Sequence, residues 1–510
     1  MSSKAATDAA ALQRERIVGK RRSGILLILL WSLGGLALPL LLMPQVCSAG
    51  SIREILHHPD NSQTRFSVHF FDPSTGETVF AYNADVPLMP ASNMKLITTA
   101  AAIEQLSPDF IYETVFALSG DDLAIFAGGD PLTGDPVLAE RDSRDIYFIF
   151  QNIYEQLQKR NIKVIRGNLL IDDFIFDDQR FHPSWHPADA DDWYAAQVSA
   201  LCFNNNCIDI TVSPGDVSGE PALVSSIPQT SYVTIINKCR TITSGPQTAK
   251  IHGQVGAKKI TLTGNVRYQQ SFKGVPVERP SAYFGHVLAE YLLKRGIEIN
   301  GKLIIKQLRD DRGRLPANLE VIYTYQTPMQ DVLLRANRDS LNMVAECLFK
   351  TLGAYHALPA DCVYQQGSWS RGRVAAIDFL DKLAIGAIHY EIDDGSGLSR
   401  QNRVSARGFT TILRYMYNHS SAELFRGSLA TPTSRGTLKN SRRFREETYR
   451  DRIQAKTGYM RGIWTLSGYA QTQKGKWLVF SILANREAPI KKGQQSPRIY
   501  IDRMVKAMID

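Results

Sequence analysis

Three short motifs follow one another along the chain: Ser92-Asn93-Met94-Lys95, Ser340-Leu341-Asn342 and Lys456-Thr457-Gly458. The patterns SxxK, SxN and KTG each occur once. Together they supply a nucleophile, a base, a proton shuttle and a clamp for a carboxylate. A serine hydroxyl attacks a carbonyl well only when a neighbour takes its proton. Residues three apart share a helix face, so Ser92 and Lys95 project together if Ser92 opens a helix. Pro90 ahead of it and the mostly apolar stretch Leu96 to Ile103 after it support a helix there. A lysine on such a buried helix is desolvated, which lowers its pKa and lets the neutral amine act as a base. The helix N-terminus favours developing negative charge nearby. The competing reading is an N-cap serine with a solvated lysine one turn on. It is the better reading of SxxK alone, a pattern expected by chance about once in a chain of this length. Three motifs in a fixed order are far less expected.

Ser340 and Asn342 follow Asn337-Arg338-Asp339 and suit a loop that aims both side chains into one cleft. Leu341, Val344, Ala345 and Leu348 read as the apolar stripe of a following helix. The alternative is an ordinary helix start. The third motif precedes two apolar runs, Ile463 to Ala470 and Trp477 to Leu483, separated by the polar Gln471 to Lys476. This predicts two strands joined by a turn. A KTG strand before that hairpin presents Lys456 and Thr457 along a sheet edge, and Gly458 lets a substrate backbone approach closely. The alternative is a strand end with a solvated lysine.

The ordered set resembles that of penicillin-binding proteins and serine β-lactamases. Pro90-Ala91-Ser92-Asn93-Met94-Lys95-Leu96 is similar to the PASNxKL segment of the class C low-molecular-mass penicillin-binding proteins, the D-alanyl-D-alanine carboxypeptidase/endopeptidase family. Gly128 to Pro131, Asp394 to Arg400, Gly436 to Lys439 and Lys456 to Tyr469 also resemble that family, from about Phe66 to about Asn485. The resemblance implies Ser92 as nucleophile, Lys95 as base, and Ser340, held by Asn342 and Lys456, as proton shuttle. It implies Thr457 and Lys456 on the substrate carboxylate, and the N–H groups of Ser92 and Tyr459 as oxyanion hole. No metal and no organic cofactor is implied. The substrates would be peptidoglycan stem peptides, with β-lactam antibiotics as covalent inhibitors. Two positions depart from the family. Tyr459 stands where threonine is usual after KTG, and its ring could reshape the pocket mouth. Leu341 stands where Asp or Asn is frequent. The other readings are a β-lactamase-like hydrolase with faster deacylation and a catalytically idle penicillin-binding scaffold.

The elements that must position these residues are partly readable. Phe66 to Phe71 and Thr78 to Tyr82 read as a hairpin leading into the Ser92 helix. From about Leu106 to about Val321 short alternating runs take over, including Leu123 to Phe126, Gly167 to Asp172, Ile208 to Val212 and Lys259 to Gly264. Together with the resemblance, these runs imply an α/β (α+β) architecture: a serine β-lactamase/transpeptidase-like domain of residues 50–105 and 322–510, split by a β-rich insertion of residues 106–321. Helices return from about Met329, and a helix from Pro497 to Ile509 closes the chain.

The 510 residues are 44% hydrophobic and 21% charged, which is ordinary globular composition. Lys20-Arg21-Arg22, an apolar run from Gly24 to Met43 and the small residues to Gly50 read as an export signal over residues 1–49, cut after Ala49. The run is also long enough for a membrane anchor, the alternative; Gly34, Gly35 and Pro39 favour cleavage. Arg21-Arg22 is a poor twin-arginine match, and Val46 before Cys47 argues against lipidation. The expected location is the periplasm, with peripheral or N-terminal membrane association as an option. The net charge of +9, part of it in the signal, suits an anionic cell wall, and no basic patch with interleaved aromatics suggests nucleic acid. Cleavage leaves Cys202, Cys207, Cys239, Cys347 and Cys362, whose pairing spacing cannot decide. His182 and His186 have a helical zinc spacing, but Pro183 and Pro187 oppose a helix and favour a loop. The acidic aromatic run Asp189 to Tyr194 could meet a charged stem peptide or be a solvated loop.

Overall fold

The computed structural model describes residues 45–254, 259–433, 436–439 and 443–510. The basic and apolar parts of the expected export signal lie outside these residues. The cut expected after Ala49 falls inside a helix, Gln45–Leu56, whose Ile52 and Leu56 are buried against the C-terminal helix Pro497–Ile509. No helix among the described residues is long and apolar enough to cross a membrane.

One five-stranded antiparallel sheet joins the two ends of the chain. Its order is Ile453–Met460, Ile463–Gln471, Trp477–Arg486, Thr64–Phe71, Thr78–Tyr82. The two hairpins expected from sequence are therefore neighbours, with Phe70 opposite Phe480. The central strand Trp477–Arg486 is buried almost throughout, as expected of a strand covered on both faces. The C-terminal helix packs one side through Met504 and Val505. Helix Ala406–Tyr417 packs the other through Phe409, Ile412 and Leu413, and Tyr469 donates its hydroxyl to the Leu413 carbonyl at 2.8 Å. The KTG strand Ile453–Met460 is the sheet edge, as the sequence predicts.

Helix Met94–Leu106 is buried at every residue from Met94 to Ile103. A helix apolar all round belongs in a core, and here it is packed by helices Met329–Asn337, Asn342–Tyr355, Trp369–Lys382 and Ala406–Tyr417.

The strands Ile111–Ser119 and Glu320–Pro328 pair antiparallel with Ile111 opposite Pro328, so the chain leaves and returns side by side. The boundary expected near Val321 falls inside the returning strand. Between these strands lie the expected β segments, observed as Asp122–Phe126, Leu169–Asp172, Cys207–Ser213 and Lys259–Val266. They belong to one mixed five-stranded sheet and two three-stranded sheets. Two helices, Phe148–Lys159 and Pro280–Leu293, accompany the strands of this β-rich segment. In the first of them Ile149, Phe150, Ile153 and Leu157 are buried, a helical period that the strand-like runs around it obscure.

Cys202, Cys207, Cys239, Cys347 and Cys362 are free thiols. The Sγ atoms of Cys202 and Cys347, which are distant in sequence, lie 4.0 Å apart.

Candidate active site

Ser92 lies on a 3-10 turn, Ala91–Asn93, that runs directly into helix Met94–Leu106. It caps neither element with its side chain, which removes the N-cap reading. Lys95 is fully buried. Its Nζ is 3.1 Å from Ser92 Oγ, 2.6 Å from Asn342 Oδ1 and 2.8 Å from the Ser396 carbonyl. Burial lowers its pKa to about 7, against the upward pull of Glu346 and Asp394. A neutral amine has two N–H donors and one lone pair. Asn342 Oδ1 and the Ser396 carbonyl accept the two donors, which leaves the lone pair for the Ser92 hydroxyl. The orientation of the Asn342 amide is fixed from behind, where its Nδ2 donates to the Tyr194 carbonyl at 2.8 Å.

Ser340 has a left-handed backbone, φ +63°. That unusual turn separates helix Met329–Asn337 from helix Asn342–Tyr355. It lets Ser340 face the KTG strand while Asn342, the first residue of its helix, faces Lys95. Lys456 Nζ donates to Ser340 Oγ and to the Thr457 carbonyl, both at 2.8 Å. Lys456 is fully buried, so the solvated-lysine reading of KTG does not hold. Burial and the nearby Lys95 push its pKa well down, against Asp339.

The strand edge has a definite polarity. Ala455 N–H donates away from the sheet, to the Ala430 carbonyl at 2.9 Å. Backbone direction alternates along an antiparallel strand, so the N–H groups of Thr457 and Tyr459 also point outward. A Cβ on Gly458 would lie 2.1 Å from Thr465 Oγ1 and 3.1 Å from the Ser92 nitrogen. Glycine there thus lets the Ser92 turn approach the strand. What comes close is the Thr465 side chain and the backbone of Pro90 and Ser92. Thr465 completes the junction by donating to the Pro90 carbonyl at 2.9 Å. The Tyr459 ring is 70% exposed beside Trp464, so it lies at the rim.

Several further residues support the site. Gly397 has φ +84°, and a Cβ there would sit 1.9 Å from the Ala91 carbonyl, so the turn around it abuts the Ser92 segment. Asp394 holds that turn by accepting from the Gly397 and Ser399 N–H groups and from the Asn402 amide. Trp185, from the inserted segment, donates its indole N–H to the same carboxylate at 2.8 Å. With the Tyr194 carbonyl, this gives the insertion two direct holds on the site. Asn93 donates to Ser467 Oγ at 2.6 Å, tying the Ser92 turn to the sheet. Glu346 is a lone buried acid four residues after Asn342, a signal present in the sequence.

His182 is buried, with its ring edge-on to Trp369 and its Nδ1 accepting from Ser184 N–H. His186 caps a short 3-10 turn. Two of the acids in the Asp189 to Tyr194 run, Asp189 and Asp192, accept the Tyr194 hydroxyl, while Trp193 is exposed.

A serine facing a desolvated lysine, with a second serine–lysine pair across the cleft and a sheet edge beside both, defines an SxxK-type serine acyltransferase or hydrolase. The particular family follows from comparison with known proteins. The model of the D-Ala-D-Ala carboxypeptidase 3 (S13) family matches residues 48–506, and the chain belongs to that family. It is 30% identical over 458 residues to a D-alanyl-D-alanine carboxypeptidase of Actinomadura, an alignment covering 85% of this chain and 80% of that one. The crystal structure of penicillin-binding protein 4 (dacB) from Haemophilus influenzae superposes with a TM-score of 0.72 at 20% identity, covering 90% of this chain and 98% of that one. A second crystal structure of that protein, complexed with a β-lactam, superposes with a TM-score of 0.66 at 19% identity over the same shares.

Proposed function

We propose that this serine-type D-Ala-D-Ala carboxypeptidase hydrolyses D-alanyl-D-alanine ends and D-Ala cross-links of peptidoglycan through an acyl-enzyme on Ser92. β-Lactams are held at the same stage. The observation that carries the reading is the placement of Lys95 Nζ between Ser92 Oγ, Asn342 Oδ1 and the Ser396 carbonyl. Ser92 Oγ adds to the carbonyl carbon as its proton passes to Lys95. The oxyanion is met by the N–H groups of Ser92 and Tyr459. As the C–N bond breaks, Ser340 gives its proton to the leaving amine and receives in its place the one Lys95 took from Ser92, while Lys456 holds the Ser340 hydroxyl in line. Thr457 and Lys456 take the carboxylate of the departing residue. Water then adds to the ester carbonyl; its hydroxyl stays with the product acid and its proton passes to Ser92 as the Oγ–C bond breaks. Incubation with purified peptidoglycan, followed by mass analysis of released D-alanine and of uncoupled dimers, tests the reading. A folded enzyme that releases neither product would contradict it.

Export to the periplasm is part of the proposal, supported by the basic-apolar-small order of residues 20–49. N-terminal sequencing of the native protein is expected to begin at Gly50. A membrane-bound form beginning at Met1 or Ser2 would favour the anchor.

Acylation should be pH-dependent with a defined sign. Only the neutral amine accepts the serine proton, and burial sets the Lys95 pKa at about 7. The second-order acylation constant is therefore expected to rise as pH passes upward through about 7. Stopped-flow mixing with a fluorescent penicillin from about pH 5 to about pH 9 would show this. A constant that falls over that range would contradict the base assignment.

Lys456→Ala is expected to slow acylation by roughly 10²–10³-fold, about 3–4 kcal/mol in the transition state. It removes the amine whose N–H holds Ser340 in line. Circular dichroism should confirm the fold. Wild-type acylation by the folded variant would overturn the role given to KTG.

A further inference from the structure

Among the buried acids, Glu346 is linked to the proposed chemistry by a single backbone carbonyl. It sits one turn after Asn342 on helix Asn342–Tyr355 and is fully buried. Its Oε2 accepts the Trp369 indole N–H at 2.8 Å and the Gly395 N–H at 3.0 Å, and its Oε1 accepts the Ser396 N–H at 2.8 Å. The carbonyl of that same Ser396 accepts from Lys95 Nζ at 2.8 Å. A buried acid is not what stability alone selects, since well-packed apolar residues in place of buried charges are often neutral or better. Two of its three donors, the Gly395 and Ser396 N–H groups, lie on the one turn that Lys95 also touches.

We infer that Glu346 is a positioning residue for acylation: by gripping two adjacent amides of the 395–396 turn, it aims the Ser396 carbonyl at Lys95 and so turns the amine's lone pair toward Ser92. The inference rests on the serine-peptidase reading and adds to it a residue outside the three motifs. Asn342 and Glu346 then serve the lysine from successive turns of one helix, the first directly and the second through the turn.

The charged surroundings are specific. Lys95 faces Glu346 from the helix, Asp394 from the turn and Lys456 from the KTG strand. Asp339 stands beside Lys456. Glu346 is also within reach of Asp394 and of Lys350, one turn further along its helix. His182 faces Asp393 and Asp394 from the inserted loop, and Arg373 pairs with Asp393. Burial and Asp394 raise the pKa of Glu346, and the Ser396, Gly395 and Trp369 donors pull it back. A negative charge close to an amine raises the amine's pKa.

Two variants separate reach from charge. Glu346→Asp keeps the charge but is one methylene too short to hold both amides. Glu346→Gln keeps the length but loses the charge. Both are expected to lower the plateau acylation constant with fluorescent penicillin at least ten-fold, with penicillin affinity changed much less. In Glu346→Gln the rising limb near pH 7 is also expected to move to lower pH, while Glu346→Asp keeps it in place. Folded variants with the wild-type plateau and limb would overturn the inference. So would a plateau that falls only in step with melting temperature while neither limb moves, the mark of a merely structural acid. Should neither variant accumulate folded, Trp369→Phe removes one donor and retains the carboxylate. A several-fold slower plateau is then expected, and an unchanged one overturns the inference. A wild type that takes no penicillin on Ser92 would overturn the serine-peptidase reading as well, whereas failure of the variants alone leaves that reading standing.

Discussion

Ser92→Ala is expected to give a folded protein that neither binds penicillin covalently nor releases D-alanine from peptidoglycan. Among the described residues the Ser92 hydroxyl has one contact, with Lys95 at 3.1 Å, and it caps neither the turn nor the helix. Its loss should therefore change stability by less than about 1 kcal/mol. An N-cap serine would instead cost typically about 1 kcal/mol or more. Activity should fall by at least roughly 10⁴-fold, the scale seen when the nucleophile of a serine hydrolase is removed. Thermal unfolding and stopped-flow acylation on the same preparation would test both statements. Measurable wild-type-like acylation would mean that another group is the nucleophile.

Lys95→Arg is expected to have the second largest effect. A guanidinium stays protonated at any pH the protein tolerates and so cannot take the serine proton. It must also fit where a fully buried amine now meets three oxygens. Loss of general-base assistance is worth roughly 10²–10⁴-fold, and misplacement of Ser92 should carry the effect to the upper end of that range. The rise of acylation with pH through about 7 should vanish as well, since the titrating amine is gone. Lys95→Met separates charge from reach. It leaves Asn342 Oδ1 and the Ser396 carbonyl without their partner, at about 1–3 kcal/mol for a buried acceptor, and should be equally slow. A Lys95→Arg protein with the wild-type rate and pH profile would remove Lys95 from the mechanism.

The parts of this site that the sequence shows are those carried by local pattern. Ser92 and Lys95 are three apart on one helical segment, so their meeting needs nothing beyond the chain's own geometry. The KTG hairpin and the first hairpin are strong period-two or continuous apolar runs, and they lie within a few residues of their expected bounds. The meeting of Ser340 with Lys456 depends on contacts between residues 116 apart in sequence, and only the motif order hints at it. The left-handed turn at Ser340 has no glycine or asparagine to announce it. Trp185 and Tyr194 reach the site from an inserted segment whose composition suggests a surface loop. Tyr194 acts through its carbonyl, which no residue type reveals. Glu346 was the most readable omission: the one acid of helix Asn342–Tyr355, at i+4 from Asn342 and on a mostly apolar helix, has a reason to be there. The helices inside the insertion were hidden because short strand-like runs flank them on both sides.

The most direct test of the account is the site of covalent labelling. Protein incubated with labelled penicillin and digested with trypsin is expected to carry the label on the peptide from Phe66 to Lys95, with fragment ions placing it on Ser92 rather than Ser67 or Ser74. Label on any other residue, or none on protein shown to be folded, would contradict the assignment of Ser92 as the acylated nucleophile.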